Sequence, residues 1–217
     1  MAASDKRAEA AQKVVRGPHA GRTKAMRSRL IQAAVECLHE SGYVATTFQT
    51  VTDRAGVSRG AILHHFPTRV ELMAAVADYA ATFQNQVVLK AAGETADVLE
   101  FFVNITRATW VAMIQPPAMA LLEVIMATRG DAELASRIRE VTAALEARQR
   151  DDVWRFAESL GVRDERRIDA MVRLHRAAMR GLALELSLTR NQAEAEESMD
   201  LLVHYKRLLT AELTPKA

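Results

Sequence analysis

The chain has 217 residues, 49% of them hydrophobic, with only nine glycines and five prolines. Ala, Leu, Arg and Glu dominate and alternating β-branched runs are absent, which predicts an all-α protein with a packed core. A lone cysteine, Cys37, excludes an internal disulfide and a cysteine-based zinc site. The opening "MAASDKRAEA" has no apolar signal-peptide core, and no run of about 18 uncharged apolar residues offers a membrane span, so a cytoplasmic protein is expected. Net charge is +2 but uneven: residues 1–29 carry eight Lys/Arg against two acids, and the remainder carries 21 against 25. A basic front on a mildly acidic body fits a polyanion-binding N-terminus, although for residues 1–20 alone a solvated, disordered tail is the favoured account.

Residues 1–22 show no steady period and read as a flexible basic arm. From Lys24, the apolar positions Leu30, Ile31, Ala34, Val35 and Leu38 recur at three and four residues and predict a helix, ended by "ESGY" with Gly42 as a left-handed cap. Thr46-x-x-Gln49 matches a capping box and opens a second helix with Phe48, Val51 and Ala55 inward. Gly56 ends it. Ser58 then caps a third helix whose inward side is Val57, Ile62 and Phe66, and Pro67 stops it. Thr68-x-x-Glu71 is a further capping box, opening a long helix over 71–91. Beyond it, helices are expected over about 96–114, 118–128, 131–159, 164–188 and 193–211, for about nine in all.

The third helix is short for a reason that its chemistry suggests. Two short helices joined by a glycine-containing turn make a helix-turn-helix, whose second helix enters the DNA major groove. Such a helix needs only three or four outward side chains, here Arg59, Gly60, Leu63 and His64. Arg59 stands in the first turn and can reach guanine O6 and N7 together. Gly60 and Ala61 are small enough to let backbone and DNA approach. Thr47, His64, His65 and Arg69 are candidates for phosphate contacts, which set position rather than sequence.

The order "TKAMRSRLIQAAVECLHESGY" then "TTFQTVTDRAGVSRGAILHHFPTRVELMAAV" resembles the DNA-binding domain of the TetR (tetracycline-repressor) family of bacterial regulators. The landmarks are "AA", "SGY", "TT", "AGVSRG", "HF" and "TRVEL", at fixed spacing from about Arg27 to Val76. The resemblance implies a homodimer with three N-terminal DNA-binding helices (residues 23–70) and a helical ligand-binding and dimerisation domain (71–217). By position it places base contacts on Arg59, Gly60 and Ala61, and backbone contacts on Thr47, Leu63, His64, His65 and Arg69. The chain departs from the family pattern at Leu63, where tyrosine is usual, at Val51-Thr52, at Leu38, and at Arg69, which replaces lysine and keeps the charge.

Residues 95–217 carry no motif of their own. The resemblance implies an unknown small-molecule effector, and the soft or bulky side chains Trp110, Met113, Met119, Met126, Trp154 and Met179, with Glu123 and His175 as polar anchors, are the candidate lining. The last two helices, about 164–188 and 193–211, are the expected dimer interface, since "AMVRLHRAAMRGLALELSL" combines leucines with Ala177, Ala178 and Gly181. A double-stranded operator is the expected partner, and no cofactor or metal is expected. No phosphate loop, GxGxxG or HExxH argues for an enzyme. A helix-turn-helix protein that senses no small molecule stays open as the second reading.

Overall fold

The computed structural model describes residues 18–92 and 97–214, and these form nine α-helices with no strand among them. In chain order they are α1 (Pro18–Ala45), α2 (Phe48–Ala55), α3 (Arg59–His65), α4 (Arg69–Ala92), α5 (Val98–Met113), α6 (Pro116–Ala127), α7 (Ala132–Ser159), α8 (Glu165–Thr189) and α9 (Gln192–Leu213), with a 3-10 turn at Thr128–Gly130. Residues 1–17 of the expected arm lie outside the described residues. Its end, from Pro18, is already helical, so α1 starts about six residues earlier than the apolar period suggests. Proline fits a first helical turn because its missing N–H has no intrahelical partner there.

The local breaks follow residue chemistry, with two corrections. Gly42 has the positive φ expected of it, 73°, but its ψ of 178° lies outside the left-handed helix, so it kinks the end of α1 and does not form a left-handed helical cap. The cap of α2 is Thr47, one residue later than expected: its hydroxyl accepts from the Thr50 N–H, and the Thr50 hydroxyl accepts from the Thr47 N–H at 2.9 Å. Thr46 instead donates its hydroxyl to the Gly42 carbonyl at 2.8 Å and is buried under the kink. Gly56 is left-handed (φ 62°), as a helix-ending glycine should be. The Ser58 hydroxyl accepts from the Ala61 N–H and starts α3. The Thr68 hydroxyl accepts from the Glu71 N–H at 3.2 Å, while the Glu71 side chain pairs with Arg137 of α7.

A single buried cluster holds the N-terminal head to the rest. It joins Leu30, Leu38, Val51, Ile62 and Phe66 to Leu72, Met73 and Val76 of α4, and on to Leu121, Val124, Leu134 and Ile138. The core therefore runs unbroken past the boundary expected at 70/71. Helix α4 packs against α1, α5, α6 and α7 and acts as the central strut. Two smaller clusters lie in the C-terminal half, one around Trp110, Met179 and Met199, the other around Phe102, Ile168, Met171 and Leu209. No single described helix is long and apolar enough to cross a membrane.

Candidate nucleic-acid interface and internal cavity

The α2–turn–α3 unit presents one face to solvent. Ile62 is fully buried and Phe66 almost so, which clamps the inward side of α3. Burying two such side chains stabilises the docking by roughly 1.5–3 kcal/mol each. Arg59, Gly60, Leu63 and His64 are exposed, and Ala61 and His65 are half-buried. The expected outward set thus lies together on one surface, with Thr47 exposed at the start of α2. Gly60 has no side chain other than Ser58 Oγ within 4 Å of where a Cβ would stand, so its smallness serves the outer surface and not internal packing.

The two histidines sit edge to face, with ring centroids 5.2 Å apart. Burial holds the His65 pKa below its ordinary value, and the nearby His64 and Arg27 push the same way. A neutral imidazole keeps one N–H donor for a phosphate oxygen. Arg27 lies over the Phe66 ring, 5.1 Å from its centroid, on the same side.

Arg69 is less free than its charge suggests. Its guanidinium lies 3.9 Å over the Tyr43 ring and donates to the Tyr43 carbonyl, and its Nε is buried without a hydrogen-bond partner. It ties the start of α4 to the end of α1. Arg54 is similarly engaged, by Glu36 at 3.2 Å and by Glu40, both on α1. Cys37 is buried, its thiol pKa raised by that burial, consistent with a packing role.

In the C-terminal half, residues from α4, α5, α6, α7, α8 and α9 line a cavity of about 410 Å³. Three of the eight expected lining residues reach it: Met113, His175 and Met179. The other five lie elsewhere. Trp110 packs in the Met179–Met199 cluster and donates its indole N–H to Glu196 at 3.3 Å. Met119 packs against the same cluster, and Trp154 against the Phe102 cluster. Met126 is half exposed. The Glu123 carboxylate accepts from the Tyr43 N–H at 3.1 Å, so it belongs to the joint between α6 and the head.

The cavity also contains residues that no sequence expectation named. Gln84, Asn85, Val88 and Leu89 come from α4, Thr106 and Thr109 from α5, and Lys206 from α9. Lys206 carried a readable signal. Met199, Leu202, Lys206 and Leu209 follow at three- and four-residue steps, which puts a lysine on the inward stripe of an amphipathic helix.

The fold and the exposed α3 surface define a helix-turn-helix protein whose head shares one core with a larger helical body. Residues 30–76 match the family described as bacterial regulatory proteins, tetR family, which marks that segment as similar to the family's helix-turn-helix domain. The transcriptional regulator CymR of Pseudomonas putida is 42% identical over 64 residues, 30% of this chain and 32% of that protein. An uncharacterised helix-turn-helix regulator of Mycobacterium bovis is 31% identical over 131 residues, 57% of this chain and 64% of its own length. The chain thus spans between about a third and just under two thirds of these curated relatives. A TetR regulator structure from Chloroflexus aurantiacus superimposes with a TM-score of 0.70 at 19% identity, covering 85% of this chain and 95% of that one, which establishes the shared fold.

Proposed function

We propose that the chain regulates transcription by binding a pseudo-palindromic operator as a homodimer, and that an effector in the cavity releases it. The observation that carries this is α3: a seven-residue helix anchored by Ile62 and Phe66, with Arg59, Gly60, Leu63 and His64 left facing out. Arg59 reads a base edge. Gly60 and Ala61 allow the helix to seat closely. Thr47, His64 and His65 reach phosphates, and Arg69 supports them from the Tyr43 joint. Leu63, 42% exposed, offers an apolar contact where a tyrosine hydroxyl would have bonded a phosphate.

Dimerisation is supported by apolar side chains left uncovered on the last two helices. Leu174, Leu184 and Leu188 of α8 and Leu201, Tyr205 and Leu208 of α9 are all exposed. Leu174, Gly181 and Leu188 follow at heptad spacing, as a helix–helix seam requires. Met199 and Leu209 of α9 instead turn inward to the core. Two-fold pairing through α8 and α9 makes a four-helix bundle and presents two α3 helices to two half-sites.

Two elements connect cavity and head. Helix α4 runs from Arg69, against the head, to Val88 and Leu89 in the cavity wall. Helix α6 carries Leu121 to the cavity and Glu123 to the Tyr43 N–H. A ligand that favours one arrangement of α4 and α6 shifts the spacing of the two α3 helices by its differential affinity for the two states. Occupying an operator without ligand makes repression the simplest outcome.

The test is selection of bound duplexes from a random pool, with wild type and Arg59→Ala in parallel at fixed salt. The expected result is an enriched pseudo-palindrome, with preference lost at one symmetric pair of positions in the variant. Enrichment of no sequence at modest salt would overturn the reading.

A further inference from the structure

Packing alone does not account for the polar floor of the cavity. Lys206 is 4% exposed, yet it carries an ammonium. That group donates to the Phe102 carbonyl and sits 3.9 Å over the Phe102 ring. An ammonium has three N–H donors. Among the described residues no carboxylate pairs with it, and burial alone pushes its pKa down to about 7. His175 is 6% exposed, and its Nδ1 lies 2.9 Å from the Met171 carbonyl. A carbonyl only accepts, so Nδ1 carries the proton. Nε2 is buried with no hydrogen-bond partner. Burial lowers the His175 pKa most, the charge on Lys206 lowers it further, and the Met171 and Leu202 carbonyls oppose both.

The rest of the wall does not neutralise them. Arg176 is paired with Glu146 at 2.5 Å, and Arg155 with Asp152. Arg180 lines the same cavity and forms no ion pair among the described residues; burial and then Arg176 hold its pKa down, and Glu146, already paired with Arg176, opposes them. Spare donors, an orphaned imidazole nitrogen and an excess of positive charge in a mainly apolar chamber are costly unless an anion completes them.

We infer that the cavity takes a small carboxylic acid, its carboxylate held by Lys206 Nζ and His175 Nε2 and its apolar body against Ile105, Phe156 and Met179. One ammonium and one imidazole match the two oxygens of a carboxylate better than the three of a phosphate monoester. The inference rests on reading the cavity as the effector site and names the effector's chemical class. On binding, Nε2 takes up one proton from solvent, and the carboxylate accepts from Nζ with one oxygen and from the resulting imidazolium Nε2–H with the other. The bound anion favours the protonated forms of both groups.

Isothermal titration of the full chain without DNA tests this, using octanoate and phenylacetate, each beside its primary amide and the amine of equal chain length. Each acid is expected to bind at least about tenfold more tightly than its amide, roughly the effect of one buried charge-assisted hydrogen bond. The amines are expected not to bind. In Lys206→Met, which keeps an apolar side chain over Phe102, the acid–amide difference should fall to about twofold or less. Equal binding of acid and amide in the wild type, tighter binding of an amine, or no binding by any of the six overturns the proposal. The wild-type comparison decides even if the variant fails to fold. Octanoate against phenylacetate separates chain-shaped from ring-shaped bodies. Because DNA is absent, the result stands apart from the regulator reading: an acid that binds yet releases no selected duplex sinks the effector role and leaves the carboxylate site standing.

Discussion

In the head, the deepest side chains are Leu30, Leu38, Val51, Ile62 and Phe66, all apolar, and the buried hydroxyls of Thr46 and Thr52 each donate to a nearby carbonyl. In the half built from α5 to α9, the buried set includes Lys206 and His175, each with unused hydrogen-bonding capacity. The head has spent its polar groups on caps and joints, with Arg69 Nε the one buried side-chain nitrogen left unpaired there among the described residues. The other half keeps polar groups in reserve around a cavity. A DNA reader must hold a fixed outward geometry, which a dry, close-packed core enforces. A chamber that recognises a small molecule needs groups that stay unsatisfied until the molecule arrives.

The largest expected effect comes from breaking the head's core. Phe66→Ala removes an almost fully buried ring that pins α3, and should destabilise by about 3–5 kcal/mol. Urea unfolding measures this, and a loss below about 1 kcal/mol would mean that α3 is not held as described.

Next is the contrast itself, sharpened at Lys206. Its pKa falls from the ordinary lysine value to about 7 on folding, so between pH 7 and about 10 the unfolded chain binds more protons. Stability should therefore rise as pH climbs through that window, and the cost of the buried charge should be complete below pH 7. In Lys206→Met this slope should vanish, and the variant should be the more stable of the two at pH 6.5. Urea midpoints for both proteins across pH 6.5 to 9.5 read the difference. Parallel curves would show that the lysine stays charged or reaches solvent.

Arg59→Ala should leave stability within about 0.5 kcal/mol, because the side chain is exposed, while costing roughly 1–3 kcal/mol of base discrimination. Competition binding with duplexes altered at one position at a time reads this, and a uniform loss across all sequences would make Arg59 a phosphate contact instead. The smallest effect is expected at Thr47→Ala, which removes half of the α2 capping box and should cost about 1 kcal/mol. Thermal unfolding checks it, and Thr46→Ala makes a control whose loss comes from the Gly42 kink rather than from α2.

Much of the head was readable because its instructions are local. A glycine that must turn left at 56, a serine cap at 58 and a proline stop at 67 act within one or two turns of chain. Even the errors were local: the box at Thr47 and Thr50 displaced the expected one by a residue, because Thr46 is occupied by the Gly42 carbonyl. The cavity was far less readable. Met113, His175 and Met179 were placed by type alone, and Trp110, Met119 and Trp154 share that type yet serve ordinary packing. Soft and bulky apolar side chains fill cores and line cavities alike, so type cannot separate the two.

By itself the sequence determined an all-helical chain, the break points between its helices, and a short third helix with Arg59, Gly60, Leu63 and His64 outward. These follow from period, caps and sterics that neighbours in the chain impose on one another. Only the tertiary structure decided that Glu123 meets the Tyr43 N–H 80 residues away, that Arg69 is drawn onto Tyr43, and that Lys206 reaches the Phe102 carbonyl across 104 residues. Those contacts depend on where separate helices come to lie against each other, and the pattern along any one helix specifies which face is buried but not what it is buried against.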